Sequence, residues 1–152
     1  LRPSRRHISD DLYLPGIVKE GVGEIAVVID TSGSIDIFAL SKFGGELQSI
    51  AEDLQPEKIH VFYVDSEIAG YETFEQGETI RFNPKGGGGT DFGPAFEYME
   101  REGIEPKSLI YFTDLECNRY PEEPNFPVLW ASTSRINEYR SVPFGEVIEI
   151  WE

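Results

Sequence analysis

The sequence has few of the residues on which thiol, zinc or nucleophilic chemistry depends. It contains one cysteine, Cys117, and two histidines, His7 and His60, in 152 residues. One cysteine excludes an intramolecular disulfide framework and fits a reducing compartment, so we expect a cytoplasmic protein. The zinc-peptidase pattern His-Glu-x-x-His, the phosphate-binding pattern Gly-x-x-x-x-Gly-Lys and the serine-elbow pattern Gly-x-Ser-x-Gly are all absent from the chain. We therefore expect that this chain is not an enzyme by itself.

Positive charge is also scarce. Lys and Arg number 13 against 28 Asp and Glu, which gives a formal net charge of −15. A field of that sign repels nucleic-acid phosphate and anionic lipid, and it attracts divalent cations and basic proteins. No apolar run approaches the ~20 residues that a membrane span requires, and no signal-peptide pattern opens the chain. We expect neither a nucleic-acid nor a membrane partner, although solubility alone would also explain the acidity.

The length of the chain is that of one ordinary domain. Residues 1–21 differ from the rest because three arginines cluster there and no periodic pattern holds. We predict that they are a lead-in segment from an upstream domain, with a solvated tail as the alternative. Residues 22–152 are then the domain itself. Since the first residue is Leu1, we expect the chain to be a piece of a longer protein.

Apolar runs and turn residues predict alternating strands and helices. Strands are predicted, in chain order, at residues 24–30, 58–66, 68–76, 78–83 (a partial strand), 108–115, 126–133 and 144–151. One helix is predicted at residues 35–54, and a second follows the four glycines, with Pro94 in its first turn. Polar alternation around Gly77 predicts an edge hairpin. The order of elements predicts an α/β sheet, mostly parallel, with helices on both faces.

The first predicted helix carries one apolar stripe. Its members recur near helical spacing: Ile35, Phe38, Ala39, Phe43, Leu47, Ile50 and Leu54. Gly44 and Gly45 interrupt this helix and should cost about 1 kcal/mol each relative to alanine. A close approach between the helix and the sheet would offset that cost.

Oxygen-bearing side chains follow the predicted strands at three places. Asp30, Ser32 and Ser34 lie on the loop after the first strand. Thr90 lies at the start of the second helix, and Asp114 ends the strand SLIYFTDL. In a doubly wound sheet the loops at the carboxyl ends of the strands share one edge, and ligands bind where the strand order reverses. If the first strand and the SLIYFTDL strand are neighbours, all five side chains converge.

Two carboxylates and three hydroxyls form a set of hard oxygen ligands. Such a set selects Mg²⁺ or Mn²⁺, and also admits Ca²⁺, in preference to Zn²⁺ or copper. Short side chains cannot easily fill six octahedral positions, so water or an outside carboxylate would take the rest. The alternative is that these residues only cap helices. Asp91, next to Thr90, suits an N-cap better than a metal ligand.

These residues resemble the metal-ion-dependent adhesion site of von Willebrand factor A-like (VWA) domains. That motif has Asp-x-Ser-x-Ser after the first strand, Thr in a second loop and Asp after the fourth strand. Every position is matched in order, by Asp30, Ser32, Ser34, Thr90 and Asp114. The resemblance covers residues 22–152 and implies an α/β, Rossmann-like three-layer sandwich. It implies a mostly parallel sheet of about six strands with one antiparallel edge strand.

The resemblance also implies a function and a role for each residue. It implies a divalent-metal-dependent protein-interaction module in which Ser32, Ser34 and Thr90 bind the ion directly. Asp30 and Asp114 would act largely through bound water. A protein partner, or an upstream domain of the same chain, would offer an Asp or Glu carboxylate to the metal.

A narrower likeness concerns the two ends of the chain. The lead-in RPSRR…YLPG, the PVLW strand and the VPFGEVIEI ending are similar to the VWA-like C-terminal domain of predicted metal-dependent peptidases. This likeness implies that any peptidase chemistry lies upstream of Leu1. The chain departs from the wider family after the last Asp, where many VWA domains have glycine and this chain has Leu115.

Two other functions stay open at this point. An aspartate-nucleophile phosphohydrolase also places an acid after the first strand of a Rossmann-like sheet and uses Mg²⁺. The Asp30-x-Ser32 pattern resembles the Asp-x-Asp motif of that class, in which the second acid protonates the leaving group. Ser32 occupies that second position here. The other alternative is a structural VWA-like domain that binds no metal.

Overall fold

The computed structural model describes residues 23–133 and 142–150, which form one six-stranded sheet and two helices. In chain order the elements are β1 (Glu24–Asp30), α1 (Ile37–Leu54), β2 (Lys58–Val64), β3 (Ile68–Glu75), α2 (Pro94–Glu102), β4 (Ser108–Thr113), β5 (Val128–Ser132) and β6 (Glu146–Glu149). The predicted lead-in, residues 1–21, lies outside the described part of the chain. Neither α1 nor α2 is long and apolar enough to cross a membrane.

The strand order in the sheet is β3-β2-β1-β4-β5-β6. β1 lies between β2 and β4 and is parallel to both. Of the described strands, only β3 is antiparallel to its neighbour, and it lies at the edge beside β2. The strand order reverses at β1, because the chain adds β2 and β3 on one side and β4 to β6 on the other. The predicted α/β sheet of about six mostly parallel strands with one antiparallel edge strand is confirmed.

The central strand β1 is buried on both of its faces. Ile25, Val27 and Ile29 lie in the apolar cluster that includes the buried face of α1. Ala26 and Val28 point to the other side, into the cluster that includes α2. A strand buried on both faces is a continuous apolar run in sequence, which is why β1 could be predicted.

Helix α1 begins directly after Asp36, whose carboxylate accepts the backbone N–H of Ala39 at 2.8 Å. This N-cap sets the helix start, so the predicted start at residue 35 is wrong. The face that meets the sheet carries four buried apolar residues, Phe43, Leu47, Ile50 and Leu54. Phe38 was predicted to belong to this stripe, but it is 82% exposed, so that prediction is wrong.

Gly44 lets an aromatic side chain come close to α1. A Cβ at Gly44 would lie 2.9 Å from Cδ2 of Phe82. The predicted close approach between helix and sheet is therefore wrong, because Gly44 meets a side chain of the loop after β3, and nothing outside α1 in the described part of the chain lies within 4 Å of a Cβ at Gly45. Residues 78–83 form no strand, contrary to prediction, because Ile80 and Phe82 pack into the cluster under α1 instead. The antiparallel pair at this edge is β2 with β3.

Candidate metal centre

The ends of β1 and β4 lie side by side, which brings Asp30 next to Thr113. The parallel register pairs Ile29 with Phe112, so the following residue on each strand is a neighbour of the other. Thr113 Oγ1 donates a hydrogen bond to Asp30 Oδ2 at 2.5 Å. The predicted adjacency of the first strand and the SLIYFTDL strand is therefore correct.

Asp30 is fully buried, and both of its carboxylate oxygens accept hydrogen bonds. Oδ1 accepts the backbone N–H of Ser32 at 2.9 Å and the hydroxyl of Ser32 at 2.6 Å. Burial raises the pKa of Asp30 above its usual value, against the lowering effect of the bonds from Ser32 and Thr113. The negative charge of Asp114 adds to the rise in pKa. An ionised carboxylate in this position is costly unless positive charge compensates it.

Hydrogen bonds continue from Asp30 outward to Asp114. The hydroxyl oxygens of Ser32 and Ser34 are 3.3 Å apart, and Ser34 Oγ donates to Asp114 Oδ2 at 2.8 Å. The other Asp114 oxygen accepts the backbone N–H of Glu116 at 3.0 Å. Asp30 is buried, whereas Ser34 is exposed. The structure thus brings four of the five predicted site residues together where the sheet edge meets solvent.

The loop of residues 30–34, called the serine loop below, does not cap a helix. Asp36 caps α1, and the N-cap position of α2 is Gly93, which makes no side-chain cap bond. Helix capping therefore does not explain the serine-loop side chains. The prediction that Asp91 is the N-cap of the second helix is also wrong. Its Oδ1 accepts the backbone N–H of Gly93 at 2.8 Å, and Gly93 is itself the N-cap residue.

Residues 86–91, called the glycine loop below, lie against the serine loop. The backbone N–H of Gly33 donates to the carbonyl of Gly88 at 2.9 Å. Thr90 is half-buried, and its carbonyl oxygen is 3.5 Å from the Cys117 thiol that donates to it. In the described structure the Thr90 hydroxyl is not part of the hydrogen-bonded chain from Asp30 to Asp114. The fifth predicted residue is therefore on a loop that reaches the site, but its side chain is not joined to the other four.

Leu115 has the backbone conformation that usually favours glycine. Its φ is 61°, a left-handed conformation that costs an L-residue roughly 1–2 kcal/mol. The side chain is only 6% exposed, and the backbone N–H donates to Thr113 Oγ1 at 3.0 Å. The burial of the side chain and this hydrogen bond offset the cost of the left-handed conformation. The loop after β4 therefore makes a glycine-like turn although the sequence departs from the family pattern at this position.

Two residues that shape the site did not stand out in the sequence. Thr113 holds Asp30, and its only signal is a polar side chain at the end of an otherwise apolar strand. Asp65 directly follows β2, and its Oδ2 accepts the backbone N–H of Gly88 at 3.1 Å. An acid at the end of a parallel strand is the same signal that marks Asp30 and Asp114.

The donors at this edge suit a hard divalent cation. They are two carboxylates and nearby hydroxyls, which match Mg²⁺ or Mn²⁺ better than Zn²⁺. Across residues 23–133 and 142–150, no three His, Cys, Asp or Glu side chains are grouped as a metal site made of those residues would be. Any ion at this edge would therefore depend on serine and threonine hydroxyls. A cleft of about 730 Å³ opens beside Ser34 and Asp114.

Comparison with known proteins agrees with this fold. An uncharacterized protein of Thermotoga maritima is 35% identical over 114 residues, which are 75% of this chain and 27% of that protein. The chain therefore spans just over a quarter of the length of this relative. No solved structure matches the chain. A family model described as VWA-like domain (DUF2201) matches residues 25–151, and the chain belongs to this family of VWA-like domains.

Proposed function

We propose that this domain is a divalent-metal-dependent protein-interaction module. The residues that would hold the ion are those matched to the adhesion-site motif: Asp30, Ser32, Ser34, Thr90 and Asp114. The observation that carries the proposal is the hydrogen-bonded chain that joins four of them across two loops. Its serine hydroxyls link two carboxylates and are not used to cap α1. Mg²⁺ or Mn²⁺ fits these donors, and Ca²⁺ is admitted by the same chemistry.

Each residue has a separate role in this proposal. Ser32, Ser34 and Thr90 supply neutral hydroxyl ligands. Asp30 already accepts three hydrogen bonds on its two oxygens, which supports a role through bound water. Asp114 accepts bonds from Ser34 and Glu116 and is assigned the same role. With mainly neutral direct ligands, a bound ion keeps positive charge and attracts one anionic oxygen from outside.

The partner we propose is a protein that offers an Asp or Glu side chain to the metal. Glu116, Glu122 and Glu123 are exposed in the segment that follows β4, and the whole chain carries a charge of −15. A partner with Lys or Arg around its acid would be steered to this surface, and like charges would repel other acidic proteins. Because the net charge is −15, we propose neither a nucleic-acid nor a membrane partner. No helix in residues 23–133 and 142–150 could span a membrane.

An apolar surface adjoins the proposed ion site. Ser34 and Asp114 line the 730 Å³ cleft together with Phe38 from the first turn of α1. Phe38 is 82% exposed and its neighbour Ile37 is 71% exposed. Exposed aromatic residues beside a polar contact are typical of the residues that dominate binding energy in interfaces. We assign this surface to the contact with the same acid-bearing partner.

The relative from Thermotoga maritima is much longer than this chain. We propose that the domain is the C-terminal part of a larger, cytoplasmic, metallopeptidase-like protein, and that the domain itself is not catalytic. The support is the similarity of the lead-in and the C-terminal strand to the VWA-like domains of predicted metal-dependent peptidases.

Calorimetric titration of the domain with Mn²⁺ tests the ion site. We expect one binding site, and at least tenfold weaker binding by Asp114→Asn, because the amide removes a negative charge from the site. The amide oxygen can still accept the N–H of Glu116, so the loop after β4 should be kept. Asp91→Asn is the matched control, since it removes the same charge from the glycine loop and keeps the acceptor for Gly93.

The control should bind Mn²⁺ within about threefold of the unaltered domain. Equal binding by Asp114→Asn and Asp91→Asn would mean that Mn²⁺ only responds to the general negative charge of the surface. Many weak Mn²⁺ sites on the unaltered domain would lead to the same conclusion. Either outcome refutes the proposed ion site.

Affinity capture from source lysate, with Mg²⁺ and again with EDTA, tests the interaction. We expect the captured protein to disappear with EDTA and to decrease at least tenfold with Phe38→Ser, because an exposed aromatic anchor is lost. Mn²⁺ affinity should not change in Phe38→Ser, since Phe38 is not a ligand. Capture of the same proteins with Mg²⁺ and with EDTA would contradict the adhesion-site mechanism.

A further inference from the structure

Asp65 connects the end of β2 to the glycine loop at two points. Its Oδ2 accepts the backbone N–H of Gly88 at 3.1 Å, and its carbonyl oxygen accepts the backbone N–H of Asp91 at 3.1 Å. Its other carboxylate oxygen accepts the N–H of Glu67 at 3.0 Å, which fixes the side chain. The two loop contacts lie on either side of Thr90. One residue outside the motif therefore binds the chain on both sides of Thr90, through its side chain at Gly88 and its main chain at Asp91.

The other side of the glycine loop rests on the serine loop. Gly33 N–H donates to the carbonyl of Gly88 at 2.9 Å. A Cβ on Gly86 would overlap the Thr31 hydroxyl, so the loop passes as close to the serine loop as a glycine allows. Gly86 and Gly87 have φ values of 147° and 119°, which side chains would oppose. Both backbone polar groups of Gly88 are thus hydrogen-bonded, its carbonyl to Gly33 and its N–H to Asp65.

Four consecutive glycines would otherwise leave Thr90 without a fixed position. Glycine has more backbone freedom to lose than any other residue, so ordering residues 86–89 is entropically expensive. If the ion alone had to order this loop, that cost would be subtracted from its affinity. The contacts of Asp65 are made by protein atoms alone, so they contribute to ordering the loop when the chain folds. The cost is then met on folding.

We propose that Asp65 is a positioning residue that holds Thr90 ready for the ion without touching it. This inference rests on the proposed metal-dependent function. The adhesion-site motif does not include residue 65, and this positioning role gives a physical reason for an acid at the end of β2. Metal affinity then depends on Asp65 through Thr90, and the two residues act as one unit.

The test is Mn²⁺ titration of four forms of the domain: unaltered, Asp65→Ala, Thr90→Ala and the double variant. We expect Asp65→Ala to bind Mn²⁺ at least tenfold more weakly. Thr90→Ala should weaken binding in the unaltered domain but change it less than twofold in the Asp65→Ala background, because the hydroxyl is no longer positioned. Asp91→Asn, which removes the same charge from the same loop, should stay within about threefold of the unaltered domain.

The outcomes separate this inference from the function on which it rests. If the unaltered domain binds no Mn²⁺, the proposed function fails. If it binds Mn²⁺ and Asp65→Ala binds as Asp91→Asn does, or if the effects of Asp65→Ala and Thr90→Ala simply add, Asp65 has no positioning role. Circular dichroism in EDTA confirms that each variant folds. Should Asp65→Ala not fold, Asp65→Asn replaces it. Glu67 and Gly88 donate to different carboxylate oxygens of Asp65, and the amide nitrogen that replaces one of these oxygens cannot accept.

Discussion

Replacing Asp30 by asparagine is expected to stabilise the metal-free domain and to abolish its stabilisation by Mn²⁺. The Asp30 carboxylate is fully buried, and burial raises its pKa, so its charge opposes folding when no cation is present. An amide keeps one oxygen for the two bonds from Ser32 and can donate to Thr113 Oγ1. At Mn²⁺ concentrations 100 times the dissociation constant, the unaltered domain should gain about 2.7 kcal/mol. Melting temperatures in EDTA and in Mn²⁺ measure both effects.

The advantage of Asp30→Asn in EDTA should depend on pH. Because the pKa of Asp30 is raised above 3.8 in the folded state, the folded protein binds this proton more readily than the unfolded chain does. The contribution of Asp30 to stability is therefore largest below pH 3.8 and declines as the pH rises through the folded-state pKa. The difference in unfolding free energy between Asp30→Asn and the unaltered domain should grow across this interval.

Asp91→Asn is again the control, since it removes one acid from the same edge without a buried charge. It should leave both the metal-free stability and the Mn²⁺ response nearly unchanged. If Asp30→Asn melts below the unaltered domain in EDTA, the buried charge is not the dominant cost. If Mn²⁺ raises its melting temperature as much as that of the unaltered domain, Asp30 is not part of an ion site.

Trp130→Ala should remove about 3–5 kcal/mol of stability, the cost of deleting a large buried aromatic side chain. Trp130 has no exposed surface and lies at the centre of the cluster on the α2 side of the sheet. Its ring contacts five other aromatic rings, those of Phe92, Phe96, Tyr111, Tyr120 and Phe144. Since a domain is usually stable by only about 5–15 kcal/mol, this loss is a large part of the total. Urea unfolding measures it.

Trp130→Phe separates the packing of the ring from its hydrogen bond. Trp130 Nε1 donates to the buried carbonyl of Phe144 at 2.9 Å, and phenylalanine would leave that carbonyl without its donor. We expect a cost of about 1–3 kcal/mol from the unpaired group, in addition to the smaller loss of packing. A cost below about 1 kcal/mol for Trp130→Ala would show that this cluster is not a major source of stability.

The central strands could be predicted because burial on both faces leaves a clear mark in sequence. Residues 78–83 show the limit of that inference. Their alternation of polar and apolar residues predicted a strand. The apolar residues Ile80 and Phe82 instead pack under α1 from a loop. Phe38 shows a second limit. Helical spacing placed it in the buried stripe, whereas its burial depends on how far the first turn of α1 extends over the sheet.

The site could be predicted in its acids and hydroxyls but not in its connections. Asp30 and Asp114 stand out because apolar strands have no packing use for an acid at their ends. The bonds of Asp65 and Thr113 are long-range contacts that depend on strand order and register, which local patterns do not encode. A shift of one or two residues in the start of a helix changes which residue is its N-cap. For that reason Asp91 was mistaken for an N-cap when Gly93 holds that position.

The placement of β4 beside β1 also governs when the site can exist during folding. Asp30 and Thr113 are 83 residues apart in the chain, and Ser34 and Asp114 are 80 residues apart. Contacts of such long sequence separation are slow to form, because the intervening loop must be closed first. A polypeptide folded only as far as α2 contains four of the five proposed site residues but lacks β4 and therefore Asp114. A cation that requires the complete site would then slow unfolding of the finished domain rather than speed its folding.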